Sequence, residues 1–107
     1  MNDIKNLTNL LVKFRDDRNW RQFHTPENLA KSVVLEASEL LENFQWGDSK
    51  DLENISDEIA DVFGYLLLMC EHYDLDIIEI SKKKMEQNKM KYPIDKAYGV
   101  STKYNKL

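Results

Sequence analysis

Apolar residues recur at helical spacing in four stretches of this chain, and short polar breaks separate the stretches. In the first stretch, residues 3–15, apolar side chains return every three or four positions, which is the period of an amphipathic helix. The second stretch, residues 26–44, starts behind Thr25 and Pro26, which favour the cap and the first position of a helix. The pattern predicts one helix in each stretch.

The third stretch, residues 50–72, is apolar nearly all round after Ile59, which predicts a helix in the middle of the fold. The fourth stretch, residues 76–91, ends before Pro93, because the residue before a proline avoids the helical region. Two aspartates are candidates for the cap at its start: Asp74 and Asp76.

Four helices joined by short breaks predict an all-α fold with an antiparallel, bundle-like arrangement. The length, 107 residues, suits one domain over residues 1–107 and not two. Residues 94–107 form a polar, basic tail in which no period is evident.

Composition and charge narrow the function classes. Apolar residues make up 42% and charged residues 32% of the chain, which is typical of a globular protein. The net charge of −4 speaks against stable binding to nucleic acid, and no apolar stretch is long enough to span a membrane. Cys70 is the single cysteine, which fits a reducing compartment, so we expect a cytoplasmic protein.

Acidic residues lie in unusual places on the second and third helices. Glu36 and Glu39, three positions apart, border the apolar stripe of the second helix, and Glu58 and Asp61 repeat this spacing on the third. Asp61 is the one charged residue between Ile59 and Cys70. Because carboxylates removed from water need a partner, these acids predict a site for a hard divalent cation such as Mg²⁺. For Glu36 and Glu39 alone, a solvated helix face is an equally good interpretation.

Two other groups are candidates for ligand binding. Lys84, Asn88 and Lys91 share one face of the fourth helix, with Tyr92 close by. Their charges and hydrogen-bond donors can bind a triphosphate. Taken alone, that pattern is more typical of a lysine-rich solvated surface. Three rings lie in the breaks and either stack on a nucleobase or close the ends of the bundle: Trp20, His24 and Trp46.

An ordered series of short motifs gives the chain a family resemblance. It runs through RNWRQFHTPENL (18–29), EASEL (36–40), DEIADV (57–62) with Tyr65, KMEQN (84–88), KYP (91–93) and STKY (101–104). This series resembles the MazG-like nucleotide pyrophosphohydrolases, closest to the small single-domain branch that includes the dCTP pyrophosphatases. Asn19 stands where that branch often has Asp, and the connector at residues 47–52 is short.

The resemblance implies an enzyme that hydrolyses nucleoside triphosphates to the monophosphate and pyrophosphate, in nucleotide-pool housekeeping. It implies Mg²⁺ as the metal, with Mn²⁺ as a substitute, and a homodimer or homotetramer with sites between subunits. It also implies that the nucleobase is contacted by rings in the breaks between helices, and that Tyr65 lies near the metal. We expect Glu39 to act as general base and Lys84 to stabilise the leaving phosphates. The metal ligands that the resemblance implies are Glu36, Glu39, Glu58 and Asp61; the substrate-binding residues are Trp20, His24, Trp46, Tyr65, Lys84, Asn88, Lys91 and Tyr92.

Two other classes compete with this interpretation. A di-iron helical protein uses Glu-x-x-His pairs, and neither histidine follows a glutamate by three positions. The alternative is a non-catalytic helical module that binds metal or regulates a partner. The apolar run around Asp61 speaks against a purely binding or regulatory module, because a module of that kind needs no buried acid.

Overall fold

The computed structural model describes residues 2–107 and contains helices as its only regular structure within that range. Five α-helices follow one another: α1 (Asp3–Asp17), α2 (Pro26–Glu42), α3 (Leu52–His72), α4 (Ile77–Lys91) and α5 (Ile94–Ala97). Single 3₁₀ turns lie at Arg21–Phe23 and Tyr104–Lys106. The all-α prediction is confirmed.

Polar side chains fix the starts of the long helices by accepting backbone N–H groups that have no partner within the helix. The Asp76 carboxylate accepts the N–H groups of Ile78 and Glu79, at 2.9 and 3.1 Å, so Asp76 and not Asp74 caps α4. Asp74 instead adopts the left-handed conformation, with φ of 53°. The other caps are Asn2 for α1, Thr25 for α2 and Asp51 for α3.

Three predicted boundaries were each displaced by two residues. Helix α1 ends at Asp17 instead of Arg15, α2 ends at Glu42 instead of Phe44, and α3 begins at Leu52 instead of Lys50. Local hydrogen bonds that apolar periodicity does not reveal set two of these boundaries. At the end of α2 the Asn43 amide donates to the Leu40 carbonyl at 3.2 Å, and before α3 the Asp51 carboxylate accepts from Asn54 at 3.1 Å.

The first compact unit, residues 1–74, is organised around α3, which packs along α2 and also contacts α1. Helices α2 and α3 run antiparallel, so that Asn43 lies near Asn54 at one end and Ser32 near Tyr65 further along. The buried apolar side chains of the described residues all belong to this unit: Leu29, Leu67, Leu68 and Cys70. The core is therefore thin, and α3 supplies most of it, as its apolar pattern predicts.

The second compact unit, residues 75–107, contains α4 and α5. The tail, residues 94–107, shows no apolar periodicity in its sequence, but it contains two short helical segments, α5 and the final 3₁₀ turn. Tyr104 packs edge-on against Tyr92 at a centroid distance of 6.1 Å, and the Lys91 amine lies 4.8 Å from the centre of the Tyr104 ring. These contacts connect the end of α4 to the tail. The prediction of a single domain concerns how the two units combine, and it stays a prediction.

Among the described residues, no helix combines the length and the apolar character that crossing a bilayer requires.

Truncation of the core on α3 should destabilise the protein strongly. Leu67 is 1% exposed, and Leu67→Ala is expected to lower the free energy of unfolding by about 2–5 kcal/mol through lost burial and a residual cavity. Leu52→Ala is the control, because Leu52 lies on the same helix and is 72% exposed; we expect a change of about 0.5 kcal/mol or less. Denaturant titration measures both, and equal losses would contradict this description of the core.

Candidate active site

Four acidic side chains meet along the seam between α2 and α3. The antiparallel register brings Glu36 and Glu39 of α2 to the side of Glu58 and Asp61 of α3. One carboxylate oxygen from each of Glu36, Glu58 and Asp61 lies within 4.8 Å of the other two, and we call these three residues the acid trio. Glu39 lies outside the trio and lines an adjoining cleft together with Glu58 and Asn54.

The four acids differ in their access to solvent. One oxygen of Glu36 and one of Glu58, Oε2 in each case, are shielded from solvent without a hydrogen-bond partner among the described residues. Glu39 and Asp61 are exposed. The expectation of a poorly hydrated Asp61 is therefore wrong for this chain. Its apolar sequence neighbours project elsewhere, because successive side chains on a helix point about 100° apart.

Electrostatic strain is concentrated on the two shielded carboxylates. Burial raises the pKa of Glu58 to about 7, together with hydrogen bonding to Glu39 and the negative charges of Glu39 and Glu36. Burial also raises the pKa of Glu36, followed by the effects of Glu39 and of the Asp61 charge. A cation placed among these oxygens would remove both causes, since it supplies a ligand and an opposite charge.

The donor atoms of the acid trio suit a hard divalent cation. All of them are carboxylate oxygens, which Mg²⁺ and Mn²⁺ accept, and no sulfur or imidazole ligand takes part. The Oε2 atoms of Glu36 and Glu58 have no hydrogen-bond partner among the described residues, and a bound metal ion would supply one. The trio therefore fits a divalent metal.

A cavity of about 160 Å³ adjoins the acid trio and shares Asp61 with it. Three rings follow one another along the cavity: the centroids of Trp20 and His24 are 6.5 Å apart, and those of His24 and Tyr65 are 6.2 Å apart. Both pairs meet edge-on, so ring faces remain available to a flat ligand. We call this space the aromatic cavity.

Two polar side chains, His24 and Arg15, lie in the wall of the aromatic cavity. Burial, with the nearby charge of Arg15, lowers the pKa of His24 and so favours the neutral ring. Its Nδ1 atom is buried without a partner among the described residues. The Arg15 guanidinium, 4% exposed, is held by ion pairs to Asp16 at 2.8 Å and Glu71 at 3.2 Å. The cavity thus offers an unpaired ring nitrogen and a fixed positive charge.

Sequence reasoning missed several residues of the aromatic cavity, among them Phe14, Arg15 and Gly64. A signal for Arg15 exists, because it follows Leu11 by four positions and so puts a charge on the apolar stripe of α1. Gly64 also gave a signal, as a glycine inside a strong helical pattern.

The structure does not bring every predicted ligand-binding residue to the aromatic cavity. Trp20, His24 and Tyr65 line it, but Trp46 lies in the turn after α2 with 92% of its surface exposed. The remaining candidates belong to the second compact unit, where Lys84 is exposed and Asn88 and Lys91 are half-buried. The contacts of Tyr92 and Lys91 with Tyr104 add Tyr104, another residue that sequence reasoning missed.

Known proteins are similar to this chain in both sequence and fold. A profile of the MazG-like family matches residues 31–107. The mouse and human proteins named dCTP pyrophosphatase 1 are each 30% identical over 114 aligned residues, covering 97% of this chain and 67% of each relative. A crystal structure of a pyrophosphatase from Archaeoglobus fulgidus superposes with a TM-score of 0.79 at 43% identity, covering 87% of this chain and 94% of that one.

The metal-free protein should lose stability as the pH rises. Since the folded state raises the pKa of Glu58 from 4.5 to about 7, its protonated form favours folding at pH 5, and that contribution is lost as the pH passes 7. We expect the melting temperature in EDTA to fall between pH 5 and pH 8. Mg²⁺ should raise it more at pH 8, where the ligands are ionised.

Paired variants isolate the effect of Glu58. His24 acts in the opposite direction, because its lowered pKa removes stability below pH 6.5, so the informative quantity is the difference between the parent and Glu58→Gln. That difference should change with pH, whereas Glu53→Gln, on the exposed first turn of α3, should follow the parent at every pH. Parallel curves for the parent and Glu58→Gln would argue against a strained carboxylate.

Proposed function

This chain belongs to the MazG-like family, and from that premise we propose that it converts a nucleoside triphosphate and water to the monophosphate and pyrophosphate. The single observation that carries the proposal is the meeting of the acid trio with the aromatic cavity at Asp61. A cation site and a site for a flat ring then lie side by side. Such a pair suits a ligand that has a base at one end and phosphates at the other.

Mg²⁺ is the metal we propose, with Mn²⁺ as a substitute. Glu36, Glu58 and Asp61 would hold it, and Glu39 lies close enough to Glu58 to complete the set or to serve a second ion. When bound, the ion neutralises phosphate charge and lowers the pKa of a water molecule. Glu39 is the exposed member outside the trio, and this supports its proposed role as the general base that takes the proton of the attacking water.

The short distance between the cavity and the trio favours attack at the α-phosphorus. In a nucleotide, the α-phosphate lies nearest to the sugar and the base, so a base among Trp20, His24 and Tyr65 brings that phosphate towards Asp61. Water would form a bond to the α-phosphorus, and the bond from this phosphorus to the α,β-bridging oxygen would break. Pyrophosphate then leaves with the bridging oxygen.

We assign Lys84, Asn88, Lys91 and Tyr92 to the phosphates and the sugar. Lysine ammonium groups and the amide and hydroxyl donors of Asn and Tyr are suitable hydrogen-bonding partners for phosphate oxygens. In this proposal Lys84 stabilises the charge on the leaving pyrophosphate. The exposed Trp46 is assigned to the base end of a site in another subunit.

Self-association is part of the proposal, as a homodimer or homotetramer. In the first compact unit α2 presents Val34 and Leu41, each more than 60% exposed, on the face away from Glu36. The two residues are seven positions apart, about two helical turns, so they lie on one stripe along the helix. Because the core is thin, covering such a stripe with a second copy would contribute stability that the single chain lacks.

An isotope experiment tests the reaction. We expect purified protein with Mg²⁺ to release pyrophosphate, and not inorganic phosphate, from at least one of the common nucleoside and deoxynucleoside triphosphates. In water labelled with ¹⁸O, the label should enter the monophosphate, which reports attack at the α-phosphorus. Label in the pyrophosphate would contradict that attack. Stabilisation by Mg²⁺ without any turnover would favour the non-catalytic metal-binding module.

Removing one ligand charge from the acid trio should lower kcat/KM strongly. Asp61→Asn keeps the size and the exposure of the side chain but not its charge, and we expect kcat/KM to fall about 100-fold or more, because loss of an outer-shell partner alone costs 10–100-fold. Asp57→Asn is the matched control, since Asp57 is exposed one turn earlier on α3 and outside the trio. Comparable activity in the two variants would refute the assignment.

A charge placed in the exposed stripe of α2 should change the state of assembly. Sedimentation equilibrium is expected to give a dimer or a tetramer for the parent, and Val34→Glu should shift the population towards monomer. Glu53→Lys, a charge change on an exposed position of α3, should leave the mass unchanged. A monomeric parent at micromolar concentration would disprove the proposed assembly.

A further inference from the structure

Gly64 occupies a position where the helix itself gives no reason for glycine. It lies well inside α3, and it is not one of the glycines with positive φ, which are Gly47 and Gly99. An alanine can therefore adopt the same backbone conformation. Because glycine loses more conformational freedom than alanine when a helix forms, the present residue makes α3 less stable than it needs to be.

Packing between helices does not require glycine at this position either. A Cβ atom built on Gly64 would meet the Leu11 Cδ2 atom of α1 at 3.5 Å, an ordinary van der Waals distance. Apart from its chain neighbours and the backbone of its own helix, no other described atom lies within 4 Å of that Cβ. An added methyl group would thus fit without moving α1.

The space that the missing methyl leaves belongs to the aromatic cavity. Gly64 is buried and lines this cavity with Trp20, His24 and Tyr65. Because a Cβ atom at Gly64 would have a single neighbour, it would extend into empty volume and not into packed atoms. A methyl group is about as large as a water molecule, whose share of liquid volume is about 30 Å³. Alanine would take up an appreciable part of a cavity of about 160 Å³.

We infer that Gly64 determines the largest nucleobase that this chain accepts, by keeping open a part of the aromatic cavity that any side chain would fill. This inference rests on the proposed function. It assigns the chain to nucleotides with bulkier bases, and it makes Gly64 a specificity-determining residue. On this inference, glycine keeps the cavity wide at the expense of the stability of helix α3.

Gly64→Ala tests the inference because its effects on stability and on binding have opposite signs. The melting temperature should rise, by about 4 °C, since the helix gains intrinsic stability and the methyl fits against Leu11. Nucleotide affinity should fall in the order of base size, least for uracil and cytosine, more for thymine, and most for adenine and guanine. For the largest base that the parent binds, we expect a loss of at least about tenfold.

Dissociation constants for non-hydrolysable triphosphate analogues, measured by calorimetry, keep this test independent of turnover. Ser56→Ala is the control, because it improves helix propensity at an exposed position of α3 and should leave the base preference unchanged. A Gly64→Ala variant that binds every base with the same loss, or with none, overturns the inference. A fall in its melting temperature does so too, since glycine would then serve packing.

The two proposals fail in distinguishable ways. A parent that binds the analogues but hydrolyses no triphosphate contradicts the proposed function, while size-ordered losses in Gly64→Ala would still support the role of Gly64. A parent that binds no analogue overturns both proposals. Hydrolysis by the parent together with an unchanged base preference in Gly64→Ala overturns the inference alone.

Discussion

The repulsion between carboxylates across the α2–α3 seam is the constraint on which the rest of the structure depends. The packing that builds the core of the first compact unit also brings Glu36 and Glu58 to the same place, each with one shielded and unpaired oxygen. An apolar pair there would favour folding of the isolated chain. The seam is therefore better suited to binding a ligand than to stabilising the empty fold. A divalent cation is such a ligand, because it neutralises the carboxylate charges and accepts their oxygens as ligands.

Asp61 connects this electrostatic feature to the shape of the site. It belongs to the acid trio and also lines the aromatic cavity, so the cluster of negative charge and the cavity share one wall. Its exposure distinguishes it from Glu36 and Glu58, because a solvent-exposed carboxylate keeps its hydration without a metal ion. The burial of the two glutamates and the openness of Asp61 are complementary features of one site.

The aromatic cavity shows the same preference for binding over packing. His24 keeps a buried nitrogen without a partner, Arg15 places a guanidinium against the apolar interior, and Gly64 leaves room that alanine would fill. The unmet hydrogen bond of His24 and the weaker helix at Gly64 each disfavour the empty fold slightly, whereas the Arg15 charge is held by its ion pairs to Asp16 and Glu71. Their concentration around one cavity sets it apart from the rest of the first compact unit.

Local features of the sequence predict the helices, the caps of α2 and α4 and the two acidic pairs, because apolar periodicity, capping residues and i,i+3 spacing act along the chain. The ordered motifs along the chain are also sufficient to identify the MazG-like family. Which carboxylate oxygens lose contact with water depends on tertiary packing, since the exposure of Asp61 and the shielding of Glu58 depend on what the neighbouring helix covers. Packing also brings Arg15 of α1 and Gly64 of α3, which are far apart in sequence, to the wall of the aromatic cavity.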